Sequence, residues 1–278
     1  MNAAKPSLSS PGTQPLDTTS GKALATGVAL TALSSLPEVR PGDDIAGLLM
    51  DAFSATKLSP QEGDILVLAS KIISKVEGRQ VKLDGVSPGD RAKDVAVLTG
   101  KDPRLVELIL SESQSISRMK PGLLIVRHRL GFTSANAGID RSNVVQEGAG
   151  ETVLLLPQDP DDSATRLREA IRERLGLSLG IVIADSHGRP FRLGTVGVAI
   201  GVAGLPALWD RRGELDRHGY ALQHTMVGTA DEIAAAAGLL MGQTDESTPA
   251  VHIRGLLLPP IDGQAADLIR PSEADVYL

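Results

Sequence analysis

The 278-residue sequence predicts an α+β fold, mixed in α and β. Three observations predict it. Short apolar runs rich in β-branched residues, each ended by polar or turn residues, recur at 64–70, 123–126, 153–156 and 181–184 and read as buried strands. Stretches with amphipathic spacing or many small residues lie between them and read as helices. Their order lacks the regular strand–helix–strand rhythm of a doubly wound sheet. With 42% hydrophobic and 22% charged residues, the chain reads as globular and soluble, and long enough to bury a core.

Residues 1–22 are rich in Ser, Thr and Pro, lack periodicity, and read as a disordered or loosely attached tail, with one domain spanning 23–278. The run ALATGVALTAL at 23–33 reads as a first strand. The alternative, a signal-peptide core, has only two lysines before it and is interrupted by Thr and Gly. No run reaches the roughly 18 apolar residues of a membrane span, so the expectation is a cytoplasmic protein. A helix is expected over 44–55 after a Pro-Gly-Asp start, then helices over 91–98 and 104–112. The segment 162–175 places Ala164, Leu167, Ile171 and Leu175 on one helical face, with acidic residues first and arginines last, as the helix dipole favours. Strands over 196–202 and 251–258 are broken by glycines, and 231–241 is an alanine-rich helix that must pack closely. There is no internal repeat. Gly and Pro make up about 17% of the chain, above an average of about 12%, and many sit at strand ends, where sites are built.

Composition excludes several chemistries. There is no Cys, hence no disulfide, thiolate metal site or cysteine nucleophile. Aromatic residues are 2% of the chain, too few for a face that stacks single-stranded nucleic acid. The net charge of −6 and pI near 5.4 are the reverse of what wraps a phosphate backbone, so neither nucleic acid nor membrane is an expected partner. With no clustered His, a bound metal must be held mainly by oxygens, which favours Mg2+ or Mn2+ over Zn2+.

Four segments carry candidate chemistry. In 69–75, Ala-Ser-Lys-Ile-Ile-Ser-Lys, the lysines Lys71 and Lys75 share a face if the chain turns helical after the strand. With Ser70 and nearby backbone amides they suit a phosphate, or are a solvated surface pair. The glycines of a Walker A loop are missing. In 134–143, small residues crowd a loop that ends in Asp140 and Asn143, suited to a hard cation or to an Asx-turn or helix cap. In 181–192, a buried strand ends in Asp185 and Ser186 and then turns through Gly and Pro. Asp185 and Ser186 offer metal-binding oxygens, and Arg189 and Arg192 could hold substrate anions. The alternative is a structural strand end with surface arginines. His187 is either packed or catalytic. In 241–249, the oxygen-rich stretch after the alanine-rich helix is either a plain helix stop or a polar ligand site.

In this order, LPEVRPGDD, GDILVLASKIISKVEGR, SANAGIDRSNV, LLLPQDPDDSATRLREAIRERLG, IVIADSHGRPFRLGTVGVAIGVAGL and DEIAAAAGLLMGQTDESTPAVHIRG resemble the coenzyme F420-0:L-glutamate ligases, the γ-glutamyl ligases of deazaflavin cofactor biosynthesis, over residues 33–255. The resemblance implies two interleaved subdomains in an intertwined homodimer. It implies a GDP-forming acid–amino-acid ligase that joins L-glutamate to the lactyl carboxylate of F420-0 and adds further γ-linked glutamates. GTP is the co-substrate, with Mg2+ or Mn2+, two ions in number, and K+ as a further cation. Nucleotide contacts are implied at Leu36, Pro37, Glu38, Val39, Ser70, Lys71, Lys75, Asn143, Met241, Gly242, Gln243, Thr244, Asp245, Glu246, Ser247 and Thr248. Metal ligands are implied at Asp140, Asp185, Ser186 and Gln243, and catalytic roles at Asp140, Asp185 and Lys75. His187 stands where an aromatic residue is expected in many relatives. The chain is expected to lack the nitroreductase-like domain fused to some actinobacterial members. A non-catalytic nucleotide-binding regulator and a ligase for a different carboxylate are the alternatives.

Overall fold

The computed structural model describes residues 27–142, 144, 146 and 150–274. The expected tail at 1–22, the start of the expected strand at 23–33, and Asn143 lie outside the described residues.

In chain order the elements are β1 (Ala29–Ala32), α1 (Ile45–Thr56), β2 (Ile65–Ala69), α2 (Ser70–Val76), β3 (Gln80–Lys82), α3 (Asp90–Thr99), α4 (Pro103–Ser111), β4 (Ser113–Lys120) and β5 (Leu123–His128). Then come β6 (Thr133–Ala135), β7 (Thr152–Leu154), α5 (Pro160–Leu175), β8 (Gly180–Arg189), β9 (Arg192–Ala203), β10 (Trp209–Asp210), β11 (Met226–Val227), α6 (Thr229–Met241) and β12 (Ala250–Arg254). The mixed α and β class is as the sequence predicts.

The principal sheet runs β1-β12-β2-β8-β9 and is antiparallel except where β2 pairs β8 in parallel. Alternation sorts its residues onto two faces. Leu66, Leu68, Ile181 and Ile183 face α1 and α5 and pack with Leu49, Phe53, Leu167 and Ile171. Ile65, Val67, Val182 and Val251 face α6, where Ala230, Ile233, Ala234 and Ala237 cover them. With both faces covered, β2 is apolar along its whole length, and each such fully buried side chain contributes about 2 kcal/mol. A further core joins α3 and α4 to the sheet β4-β5-β6 and to β7, around Val106, Ile109, Leu124, Val126 and Val153.

Helix ends follow their sequences. Asp44 caps α1 by accepting the Gly47 N–H at 3.2 Å, and Asp159 caps α5 by accepting that of Asp162 at 3.0 Å. Pro160 opens α5 and Gly176, with φ 68°, closes it. Arg174 donates to both Asp44 oxygens, at 2.9 and 2.8 Å, and so ties the end of α5 to the start of α1.

Two expectations need correction, and one strand was not expected. The strand expected to end at Ala184 runs on to Arg189, because 185–189 pair with β9 in a hairpin beyond the packed sheet; Asp185 and Ser186 therefore lie within a strand. The strand expected over 251–258 stops at Arg254, and Gly255 there has φ 102°. Strand β4, SQSISRMK, gave no apolar signal because it is largely exposed and held mainly by pairing with β5. Among the described residues no helix is long and apolar enough to cross a membrane.

Candidate active site

A cleft of about 850 Å3 opens at the ends of β2 and β8. Segments far apart in the chain meet there: 36–39, 69–75, 135–142, 184–186 and 241–249 each contribute lining residues. The fold explains the convergence. Parallel pairing brings Ala69 beside Ala184, so the residues that follow in β2 and β8 emerge side by side.

Leaving β2, the chain turns at once into α2, and Lys71 and Lys75 fall one turn apart as their spacing predicts. Neither ammonium is free. Lys71 Nζ lies 2.7 Å from Asp140 Oδ2 and 3.0 Å from Ser142 Oγ. Lys75 Nζ, nearly buried, lies 2.5 Å from Oε1 of the exposed Glu38. Lys75 is therefore not a solvated surface lysine, whereas Lys71 stays partly exposed.

Asp140 is held from both sides. Its backbone exchanges hydrogen bonds with Leu154 at 2.9 and 2.8 Å. Its Oδ1 accepts the Ser142 N–H at 2.7 Å and hydroxyl at 2.8 Å, an Asx-turn. The turn reading holds for this residue, which also lines the cleft. Burial alone works to raise the Asp140 carboxyl. The Lys71 ammonium and the two Ser142 donors outweigh it, leaving the group below its usual range. The approach to Asp140 is strained: Asn136 and Ala137 have φ of 53° and 54°, left-handed values that non-glycine residues rarely adopt.

Among the described residues Asp185 has one hydrogen-bond partner, Ser70, and one close neighbour, His187, whose Nε2 makes no hydrogen bond. Ser70 donates its hydroxyl to Oδ1 at 2.9 Å, and His187 Nε2 lies 3.0 Å from Oδ2. His187 in turn packs on Phe132 with ring centres 4.7 Å apart, and Phe132 stacks on the buried His128 at 5.0 Å. A register shift between Ile183 and Ala184, where β9 carries the extra residue Ile200, precedes Asp185 and re-aims the strand. The Ala199 N–H released there is taken by Asp231 Oδ1 of α6 at 2.8 Å.

The far wall is the start of the loop after α6. Gly242, with φ 69°, ends the helix, and an added Cβ would collide with the Glu246 carboxylate. Glu246 Oε2 accepts the Thr244 N–H at 2.8 Å, which folds 242–247 into a tight turn facing the cleft. Helix α6 approaches β9 so closely that a Cβ on Gly197 would strike the Ala234 carbonyl.

Of the residues singled out in the sequence, Leu36, Pro37, Glu38, Val39, Ser70, Lys71, Lys75, Asp140, Asp185 and Ser186 line this cleft together with the whole of 241–248. Arg189 and Arg192 do not: they stand at the β8–β9 hairpin tip, where Arg189 Nη2 donates to the Leu193 carbonyl at 3.0 Å. Sequence reasoning missed Ser142, Gly197 and the Glu38–Lys75 pairing. Ser142 carried a signal, since a Ser two residues after an Asp is an ordinary Asx-turn partner.

The donor chemistry of the cleft fits a hard cation. Asp140, Asp185, Ser186 and Gln243 offer only oxygen and amide groups, and five carboxylates (Glu38, Asp140, Asp185, Asp245 and Glu246) face two ammoniums. Among the described residues no three His, Asp or Glu side chains converge as a ready-made metal cluster. A cation here would complete its shell with water and ligand oxygens, as Mg2+ commonly does.

Comparison with known proteins gives one consistent result. The model of the F420-0:Gamma-glutamyl ligase family matches residues 34–255. The chain is similar to the coenzyme F420:L-glutamate ligase of Methanothermobacter thermautotrophicus, with 46% identity over 253 residues, covering 90% of this chain and 99% of the relative. It is similar to the protein of the same name from Methanopyrus kandleri, at 46% over 86% of this chain and 93% of the relative. The protein of that name from Methanocaldococcus jannaschii is 44% identical over 78% of this chain and 85% of its own length.

Proposed function

The chain belongs to the F420-0:gamma-glutamyl ligase family, and on that premise we propose that it is a coenzyme F420:L-glutamate ligase working in the cytoplasm as a homodimer. One observation carries the proposal to this site: five of the six segments through which the sequence resembles the family converge on one cleft of about 850 Å3.

The reaction joins the L-glutamate amine to the lactyl carboxylate of F420-0 and then extends the product through γ-linkages. A carboxylate oxygen is a poor leaving group, so the carboxylate is first activated. GTP gives its γ-phosphoryl group to the carboxylate, and GDP and an acyl phosphate result. The glutamate amine attacks the acyl carbon and loses a proton, the amide forms, and inorganic phosphate leaves.

Residues of the chain bind and orient. The segment 36–39 and the turn 242–248 embrace the nucleotide. Lys71 and Lys75 position its phosphates as point charges rather than acting as bases. Asp140, Asp185, Ser186 and Gln243 would hold one or two Mg2+ or Mn2+ ions, and K+ has a place as a further counter-charge. When bound, such ions offset the negative charge that builds on the phosphoryl oxygens. With few aromatic residues in the chain, the guanine and deazaflavin rings rest on aliphatic and backbone surface.

Incubation with F420-0, L-glutamate, GTP and Mn2+, read by mass, tests this reading. A glutamate adduct with one GDP per bond is the expected result. Nucleotide binding without adduct would favour a regulator. An adduct only with another acid would favour a ligase for a different carboxylate.

A further inference from the structure

The cleft that must accept a nucleoside triphosphate is anionic, and both of its ammoniums are already engaged. Lys71 is committed to Asp140 and Ser142, and Lys75 to Glu38, which leaves Asp185, Asp245 and Glu246 without a lysine partner. A polyanion entering alone would meet net negative charge and would also have to break an ion pair. We propose that Lys71 is a built-in stand-in for the divalent cation at Asp140: it neutralises the carboxylate until a metal binds and transfers to a nucleotide phosphate when metal and nucleotide arrive together. This inference rests on the metal assignment made above for Asp140.

The two lysines differ in the way this role requires. Lys75 is nearly buried, with its side chain 9% exposed, and is packed in place. Lys71 is 29% exposed, and its four-carbon stem lets Nζ swing by several ångströms while α2 stays fixed. Asp140 is prepared for an exchange of partners. Its backbone is clamped by Leu154, and its Oδ1 is held by Ser142, so only Oδ2 changes hands. Metal and nucleotide then each favour the other. The metal frees Lys71 for the phosphate, and the phosphate draws Lys71 away from the metal's ligand. Linkage requires the two enhancements to be equal, and coupling of this kind is typically about 5- to 150-fold.

Mn2+ binding followed by electron paramagnetic resonance tests the proposal without reference to turnover. The wild-type chain is expected to bind Mn2+ weakly alone, and at least about 10-fold more tightly with a non-hydrolysable GTP analogue. Lys71→Met keeps the aliphatic stem and removes the charge. It is expected to tighten Mn2+ binding in the absence of nucleotide by about 5-fold or more and to shrink the enhancement by the analogue. Lys71→Arg, which keeps the charge, is expected to bind Mn2+ alone as weakly as the wild type. Unchanged or weaker Mn2+ binding by a folded Lys71→Met would overturn the proposal. Asp140→Asn separates the two levels. If it leaves Mn2+ binding unchanged in the presence of the analogue, the metal assignment itself fails. If it weakens that binding while Lys71→Met changes nothing, only the stand-in role fails.

Discussion

The Ser70 hydroxyl donates to Asp185 Oδ1 at 2.9 Å, bridging the last turn out of β2 to the neighbouring parallel strand β8. The next residue, Lys71, reaches Asp140 on the opposite wall. Two successive residues of one short helix thus fix the two carboxylates on which the proposed chemistry depends.

Asp185→Asn keeps the shape and an oxygen that can accept from Ser70, but removes the charge. Metal-dependent GDP release is expected to fall by at least about 100-fold with the melting temperature little changed. Normal release in a folded variant would remove Asp185 from the metal site.

Ser70 is buried at the cleft wall and donates its hydroxyl to Asp185. Ser70→Ala is therefore expected to weaken Mn2+ binding, in the presence of nucleotide, by about 10- to 100-fold, as loss of an orienting partner does. Calorimetric titration reads it. Retained affinity would mean that the hydroxyl does not orient the carboxylate.

Gly197 and Gly238 face one another where α6 crosses β9, but they are not equivalent. A Cβ on Gly197 meets the Ala234 carbonyl at 2.5 Å, and one on Gly238 finds nothing nearer than 3.9 Å. Gly197→Ala is expected to destabilise the chain by about 1–3 kcal/mol. Gly238→Ala, in a helix interior, is expected to stabilise it by up to about 1 kcal/mol. Denaturant unfolding of both variants measures the contrast.

His128 gives a pH signature. Burial, with Arg129 nearby, pushes its pKa from 6.5 down to about 4. Its Nδ1 accepts the Leu130 N–H at 3.0 Å, so the neutral ring is the one the fold uses. The unfolded chain protonates near pH 6.5 while the folded chain does not. This contribution to stability is therefore complete above about pH 6.5 and is lost as pH falls toward about 4, by about 3 kcal/mol in all. Unfolding measured across that window, with the imidazole followed by NMR, checks it. An imidazole that titrates near 6.5 in the folded protein would contradict it.

Much of the site was readable in the chain because its signals are local. The four-residue spacing of Lys71 and Lys75 behind an apolar strand, and Asp185 after Ile-Val-Ile-Ala, need only strand and helix periodicity. What was missed is non-local or carried by pairing. No local pattern links Glu38 to Lys75, 37 residues away. The polar run Asp-Ser-His-Gly-Arg looks like a strand end, yet it continues β8 because β9 pairs with it out to Arg192. Arg189 and Arg192 looked adjacent to the metal oxygens in sequence, and the same hairpin carries them beyond the cleft lining.

The measurement that bears most directly on the account uses F420-0 labelled with 18O in its lactyl carboxylate, incubated with GTP, glutamate and Mn2+. Both products are read by mass. Activation through an acyl phosphate predicts one labelled oxygen in the phosphate released as the first glutamate joins the lactyl carboxylate, none in the phosphate from later γ-additions, and neither product with Asp185→Asn. A first adduct whose phosphate carries no label, or labelled phosphate formed equally well by that variant, would contradict it.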